Sequence, residues 1–343
     1  MKKLLLMAFA VMVMAACKKD EDPSAIHDVY IAGTEFIAQE ISVAKLWKNG
    51  VAQNLTDGTT PASANSVYVA GKDVYVAGSE INAEGVSVAK LWKNGIAQDL
   101  TDGTVNAHAN SVYVVGNDVY VAGDEDNAAG TGAFIKLWIN GTAQELTDGD
   151  NWGTATSVHV SGDNVYVTGY ENDVPMIGVH VAKLWKNGVV HKLTNGSNTA
   201  MANAVYVSGS NVYVVGYEKN DSAYVAKRWK NGIAQDLSDG SHSAQAVSVY
   251  VLGNIVYVAG YEGISYGAAK FWKNGTAQNL TDGRNWTQAT AVYVLGNYVY
   301  IAGHGVKSHN GKSIVKLWIN GSVQNLTDGS NKAQANSVFV KMK

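Results

Sequence analysis

"AKLWKNGVAQNLTDG", Ala44 to Gly58, returns as "AKLWKNGIAQDLTDG" from Ala89 to Gly103, and variants of it recur along the rest of the chain. Its tryptophan stands at Trp47, Trp92, Trp138, Trp185, Trp229, Trp272 and Trp318, at intervals of 43 to 47 residues. A period in this range, filled with short β-branched and aromatic runs, predicts one small sheet per repeat, with the sheets arrayed around an axis. Paired helices of similar repeat length are excluded, because glycine interrupts every copy too often for long helices.

Each copy divides into four strands. In the second copy these are "SVYVAG" (Ser66 to Gly71), "VYVAG" (Val74 to Gly78), "VAKLWK" (Val88 to Lys93) and "IAQDL" (Ile96 to Leu100). Asn94-Gly95 joins the last two, as a two-residue hairpin needing positive φ at both central residues requires. The ordered chain opens on "HDVYIAG" (His27 to Gly33), a second strand lacking its first, and finishes on "NSVFV" (Asn336 to Val340), a first strand lacking its second. The expected fold is therefore all-β. It is a seven-bladed β-propeller over residues 27–343, with four antiparallel strands per blade. Pairing of strand 336–340 with strand 28–33 closes the ring and leaves no exposed edge. The architecture resembles that of WD40 and kelch proteins, although the Trp-Asp and Gly-Gly signatures of those families are missing. It is more similar to repetitive propeller lipoproteins, a resemblance that implies no named activity.

What recurs seven times braces the blades. The lysine of the motif is Lys45, Lys90, Lys136, Lys183, Lys227, Lys270 and Lys316, and the aspartate is Asp57, Asp102, Asp148, Asp239, Asp282 and Asp328, with Asn195 once. A single catalytic centre needs one of each. The indoles are expected between neighbouring sheets. The lysine stems are expected along them, with the ammonium at the blade rim on the aspartate or a turn carbonyl.

Function is then sought where the copies differ. The linkers between blades and the loops between second and third strands share one face and vary, which is where binding residues collect on a rigid frame. Trp152 and Trp286, in "NWGTAT" and "NWTQAT", are the tryptophans outside the repeat register. They suit stacking on a sugar ring or a partner side chain, or else plugging the gap above a blade. Arg284 stands beside Trp286 and suits a carboxylate or sulfate. Just before each first strand one position changes type, as Ser63, His108, Thr154, Met201, Gln245, Gln288 and Gln334, and these side chains are expected to ring the channel mouth. His304 is a further candidate ligand residue, paired only with His309. No metal site is expected, because the acidic runs lack calcium-loop spacing and these histidines lack a third ligand. No cofactor is expected.

The N-terminus has a basic start (Lys2, Lys3), an apolar run from Leu4 to Met14, then Ala15, Ala16 and Cys17, the single cysteine of the chain. This resembles a bacterial lipoprotein signal. The resemblance implies removal of residues 1–16, lipidation of Cys17 and a charged tether over 17–26. An outer-membrane address at the surface of a Gram-negative cell follows as an expectation. A formal charge of -3 and only two arginines, Arg228 and Arg284, exclude nucleic acid as a partner. The function expected from these features is that of a non-enzymatic surface protein that binds a glycan or a protein through its varied face. The alternatives are an envelope-complex scaffold and a carbohydrate-active enzyme. "LTDGDNW" and "LTDGRNW" fall short of the sialidase Asp-box, which has one residue between Asp and Gly.

Overall fold

The computed structural model describes residues 26–172, 178–263, 267–306 and 311–343. Among these residues twenty-eight strands form seven antiparallel sheets of four. Numbered in chain order, one blade is β4 (Ala62–Ala70), β5 (Asp73–Ile81), β6 (Ser87–Lys93) and β7 (Ile96–Asp99), from the axis outward. The innermost strands of the others are β8 (Ala107–Val115), β12 (Gly153–Ser161), β16 (Ala200–Ser208), β20 (Ala244–Leu252), β24 (Thr287–Leu295) and β28 (Lys332–Met342). Each touches the next, and β28 returns to β4, so the seven-bladed ring is complete.

The closing sheet joins β28 to β1 (His27–Phe36) in an antiparallel ladder from His27↔Met342 to Phe36↔Lys332, longer than the expected strand pair. The expectation of no exposed edge is corrected. The outermost strand of every blade, such as β3 (Val51–Asn54) or β7, is four residues long and exposed at each position. Ring closure removes the gap in the circumference, whereas the perimeter keeps seven edges blunted by their shortness.

The turns explain the repeated Asn-Gly. Asn94 and Gly95 have φ of 52° and 83°, both in the left-handed region. The Asn94 side chain also accepts from the Val74 N–H at 2.9 Å and donates to Asp73 at 2.9 Å, which ties the hairpin to the neighbouring strand.

The innermost strands start four residues earlier than the sequence suggests and carry a bulge, at Asn65 between Ala64 and Ser66 in β4. The bulged residue leaves the ladder and turns its side chain toward the next blade. Asn65 donates to the Ala109 carbonyl, Asn110 to Ala155, Thr156 to Ala202, Asn203 to Ala246, Thr290 to Ala335 and Asn336 to Ala64. Only Val247, at the seventh such position, has no group to donate. Two residues past the bulge, the N–H of five strands donates to a serine hydroxyl of the preceding blade, as Val112 does to Ser66 at 3.2 Å, whereas Ala204 and Ala291 offer none to Val249 and Val338. Six bonds of the first kind and five of the second thus tie neighbouring blades around the axis.

Between the blades all seven repeat tryptophans are buried, at 0–1% exposure. Trp138 packs on Tyr75, Ala77 and Leu91 of the preceding blade. The expected partner of the repeat lysine is corrected: it pairs with a glutamate on the second strand. Lys90 lies 3.3 Å from Glu80, Lys183 2.5 Å from Glu171 and Lys227 3.1 Å from Glu218. Lys45–Glu35, Lys136–Glu125 and Lys270–Glu262 repeat the pair. The linker aspartate instead folds its own turn, Asp102 accepting from the Thr104 N–H at 3.0 Å. Asn195 does the same for Ser197 at 3.0 Å, because the turn needs an acceptor oxygen rather than a charge.

The last blade breaks the lysine rule for a steric reason. Gly305 occupies the glutamate position, and a Cβ there would sit 2.5 Å from the Thr287 hydroxyl and 2.8 Å from the Thr287 Cα. The position of Thr287 is Ala or Gly in every other blade, so one substitution forces the other. Lys316 turns to Asn325 at 3.2 Å. Gly305→Glu alone is expected to destabilise by about 2 kcal/mol, the range for overpacking. Combined with Thr287→Ala it is expected to return to within about 0.5 kcal/mol of the parent, a coupling that urea denaturation of the two single variants and the double variant measures.

Candidate functional site

Each innermost strand runs from the linker side of the ring to the short-turn side, and the second strand returns. The linkers and the loops between second and third strands therefore open on one face. There the variable positions lie inside the innermost strands, at the second residue in six and the third (Gln334) in β28, rather than before them, and all seven are half-buried at the channel mouth. Each faces a second-strand residue across the sheet: Ser63 faces Ser79, His108 faces Asp124, Gln245 faces Tyr261, Gln288 faces His304 and Gln334 faces Thr34.

The densest chemistry lies at His108. The buried Asp124 accepts from His108 Nδ1 at 2.9 Å, from Asn110 at 3.2 Å and from the Thr154 hydroxyl. The carboxylate hydrogen bond raises the imidazole pKa above its ordinary value against an opposing desolvation effect. With Nδ1 committed, Nε2 is the edge left for a ligand. Thr154 bonds the carboxylate and not the ring, so this is an oriented imidazole without an activated hydroxyl. Beside it a cavity of about 430 Å³ is lined by Ser63, Asn65, Ser79, Ser87, His108 and Gln334. Among the described residues no group of three His, Cys, Asp or Glu side chains is placed to hold a metal ion.

The other candidates divide. Gln288 is hydrogen-bonded to Tyr261 and Gln245 faces the same tyrosine across its own sheet, so both belong to the mouth wall. His304 is corrected as a surface ligand. It is 5% exposed, packs 5.4 Å from Trp286 and holds the Ala335 carbonyl at 3.3 Å, because its strand position faces the next blade. Burial drives its pKa down to about 4, so it is neutral. Trp286 is accordingly half-buried over His304, while Trp152 is 39% exposed and presents a free surface. Arg284 is exposed and lies 3.4 Å from Asp282. His309 lies outside the described residues.

Sequence reading missed a feature nearer the short-turn face. Equivalent residues of the innermost strands close an aromatic ring in the order Tyr68, Tyr113, His159, Tyr206, Tyr250, Tyr293 and Phe339, with neighbouring centroids 4.7–4.9 Å apart. The signal was the V-Y-V triplet in each copy, varied to V-H-V and V-F-V. Burial pushes the Tyr250 and Tyr293 pKa up to about 12 and the His159 pKa down to about 4. His159 is therefore held neutral in the fold, whereas in the unfolded chain it takes up its proton near the ordinary histidine value of 6.5. Its contribution to stability is complete above that value and is lost as the pH falls from there toward 4. The expected loss is about 2 kcal/mol between pH 8 and pH 5 from this residue. The His108 pair gives an opposite and smaller trend, since its imidazole is 44% exposed. His159→Tyr is expected to flatten the acid limb of a stability–pH curve measured by urea denaturation.

Comparison with family models gives no match, and comparison with curated protein sequences gives none either. Solved structures do match. A serine-to-alanine mutant of puromycin hydrolase aligns over 88% of this chain and 52% of its own, with 10% identity and a TM-score of 0.62. A Mycobacterium tuberculosis puromycin-hydrolyzing peptidase aligns over 88% and 54%, with 12% identity and a TM-score of 0.52. The β-propeller domain of the Trilobed protease from Pyrococcus furiosus, described as having an open velcro topology, aligns over 88% and 97%, with 13% identity and a TM-score of 0.50. The chain spans about half the length of the first two enzymes. The expectations of a non-enzymatic binding protein and of no enzymatic role are corrected by these neighbours, which are peptide and puromycin hydrolases. At this level of identity the likeness shows a shared fold, the seven-bladed β-propeller.

Proposed function

We propose that this propeller serves peptide hydrolysis. It receives a short peptide at its varied-face mouth and holds it for cleavage by a serine-peptidase unit of the same assembly. The observation that carries the reading is the alignment of 88% of the chain with the puromycin hydrolase structure at a TM-score of 0.62. The mouth supports it chemically. Ser63 and Gln334 supply neutral donors and acceptors and the oriented His108 a further hydrogen-bonding edge, the groups that hold a peptide main chain without demanding a particular side chain. The exposed Trp152 offers an apolar surface at the same face. The proposal includes the envelope address: Cys17 carries the lipid, residues 17–26 form the tether, and the propeller stands at the outer membrane. Residues 1–25 lie outside the described part of the chain.

The test is hydrolysis of aminoacyl arylamides, short peptides and puromycin by the full chain, purified from its native membrane with whatever it holds. Turnover blocked by a fluorophosphonate is expected. His108→Ala is expected to raise KM about fivefold, the loss of one hydrogen bond, with kcat little changed. Absence of both turnover and any fluorophosphonate-reactive protein in the preparation would overturn the reading.

A further inference from the structure

The aromatic ring below the mouth is independent of the peptidase reading. Its interplanar angles, 47–55°, match the rotation of about 51° that relates neighbours in any sevenfold array whose ring planes stand parallel to the axis. With centroids 4.7–4.9 Å apart, a closed heptagon puts every ring about 5.5 Å from the axis, inside the reach of a cation–π contact. The hydroxyls also converge. The phenol groups of Tyr206, Tyr250 and Tyr293 lie near enough to shift one another's pKa in a row, and so do those of Tyr113 and Tyr68. A hydroxyl that gives its proton to a neighbour keeps a lone pair for a further donor. The ring is thus a circle of acceptor oxygens and aromatic rings. The buried His159 is its one ionisable base and is held neutral. Lys341, two residues beyond Phe339, is held at the rim on the Gly71 carbonyl at 2.9 Å.

We propose that this ring is a binding site for a small protonated primary amine, seated on the axis with its N–H groups on the tyrosine hydroxyls and its charge among the aromatic rings. Anions are disfavoured, because the phenol oxygens turn lone pairs rather than free donors to the lumen.

The test uses the full chain labelled with 3-fluorotyrosine and titrated with methylammonium chloride, and ¹⁹F shifts are read at constant ionic strength against sodium chloride. Saturable shifts in the millimolar range are expected, with methanol, a neutral analogue of similar size, silent. Tyr206→Phe/Tyr250→Phe keeps the rings and removes two acceptors, and is expected to weaken binding at least fivefold at an unchanged Tm. No saturable shift, an equal response to methanol, or unchanged affinity in the double variant would each overturn the proposal. Tetramethylammonium, which cannot donate, is expected to bind more weakly than methylammonium; tighter binding would overturn the role of the hydroxyls. Peptide turnover is expected to be unaffected by that double variant, so the two readings stand or fall separately.

Discussion

Gly123→Ala is expected to destabilise the protein by about 3 kcal/mol or more, lowering Tm by on the order of 10 °C in a calorimetric scan. A Cβ at Gly123 would lie 1.8 Å from the His108 carbonyl oxygen and 3.1 Å from the Trp138 ring. The first contact is with backbone, which no rotamer change relieves. The bulge at Asn110 pushes that carbonyl toward the second strand, and the indole closes the other side, so the residue between them must lack a side chain. The same position is Gly33, Gly78, Gly169, Gly216, Gly260 and Gly303 in the other blades, each with a backbone oxygen within 2.1 Å of the added carbon. Gly71→Ala is the control. Gly71 has φ of 58° but nothing within 4 Å of an added Cβ, so its expected cost is about 1 kcal/mol, the conformational penalty alone. Equal effects of the two substitutions would refute the steric account.

Trp138→Ala is expected to cost about 3–5 kcal/mol, the range for emptying a buried aromatic site. Trp138 is 1% exposed and bridges two sheets, and beside Tyr75 and Leu91 its cluster includes Ala77, Ala89, Ala107 and Ala109. The four alanines have no side-chain reach to fill the space left behind. The phenylalanine variants should separate packing from hydrogen bonding. Trp138 Nε1 is buried with no acceptor among the described residues, whereas Trp272 Nε1 donates to the Leu237 carbonyl at 2.8 Å. Trp272→Phe strands that carbonyl, and is expected to cost about 1 kcal/mol more than Trp138→Phe by urea denaturation.

The blade count, the strand order and the closing pair were legible, because period, Asn-Gly turns and unpartnered terminal strands are all local signals. The bulge was not. A bulge is set by the neighbouring blade, whose carbonyl calls for Asn65, and a single strand read alone shows only "ASANSVYV" (Ala62 to Val69). The lysine partner was missed for a related reason: Glu80 lies ten residues before Lys90 in sequence but diagonal to it across the sheet, so the G-x-E pattern acquires meaning once register is known. At the mouth, the position of His108 was readable and its bond to Asp124 was not, since that contact depends on the same register. His304 misled because a histidine in a stretch near a variable loop looks exposed, while strand alternation turns it into the interface between blades.

The joining of β28 to β1 also bears on synthesis. Every other blade can assemble soon after it leaves the ribosome, but the sheet begun by the earliest strand waits for the latest one. Until then that nascent sheet carries a vacant inner edge, open to capture by a chaperone or by a second chain's final strand, and the latch that finishes the circle is a place where two molecules could trade partners.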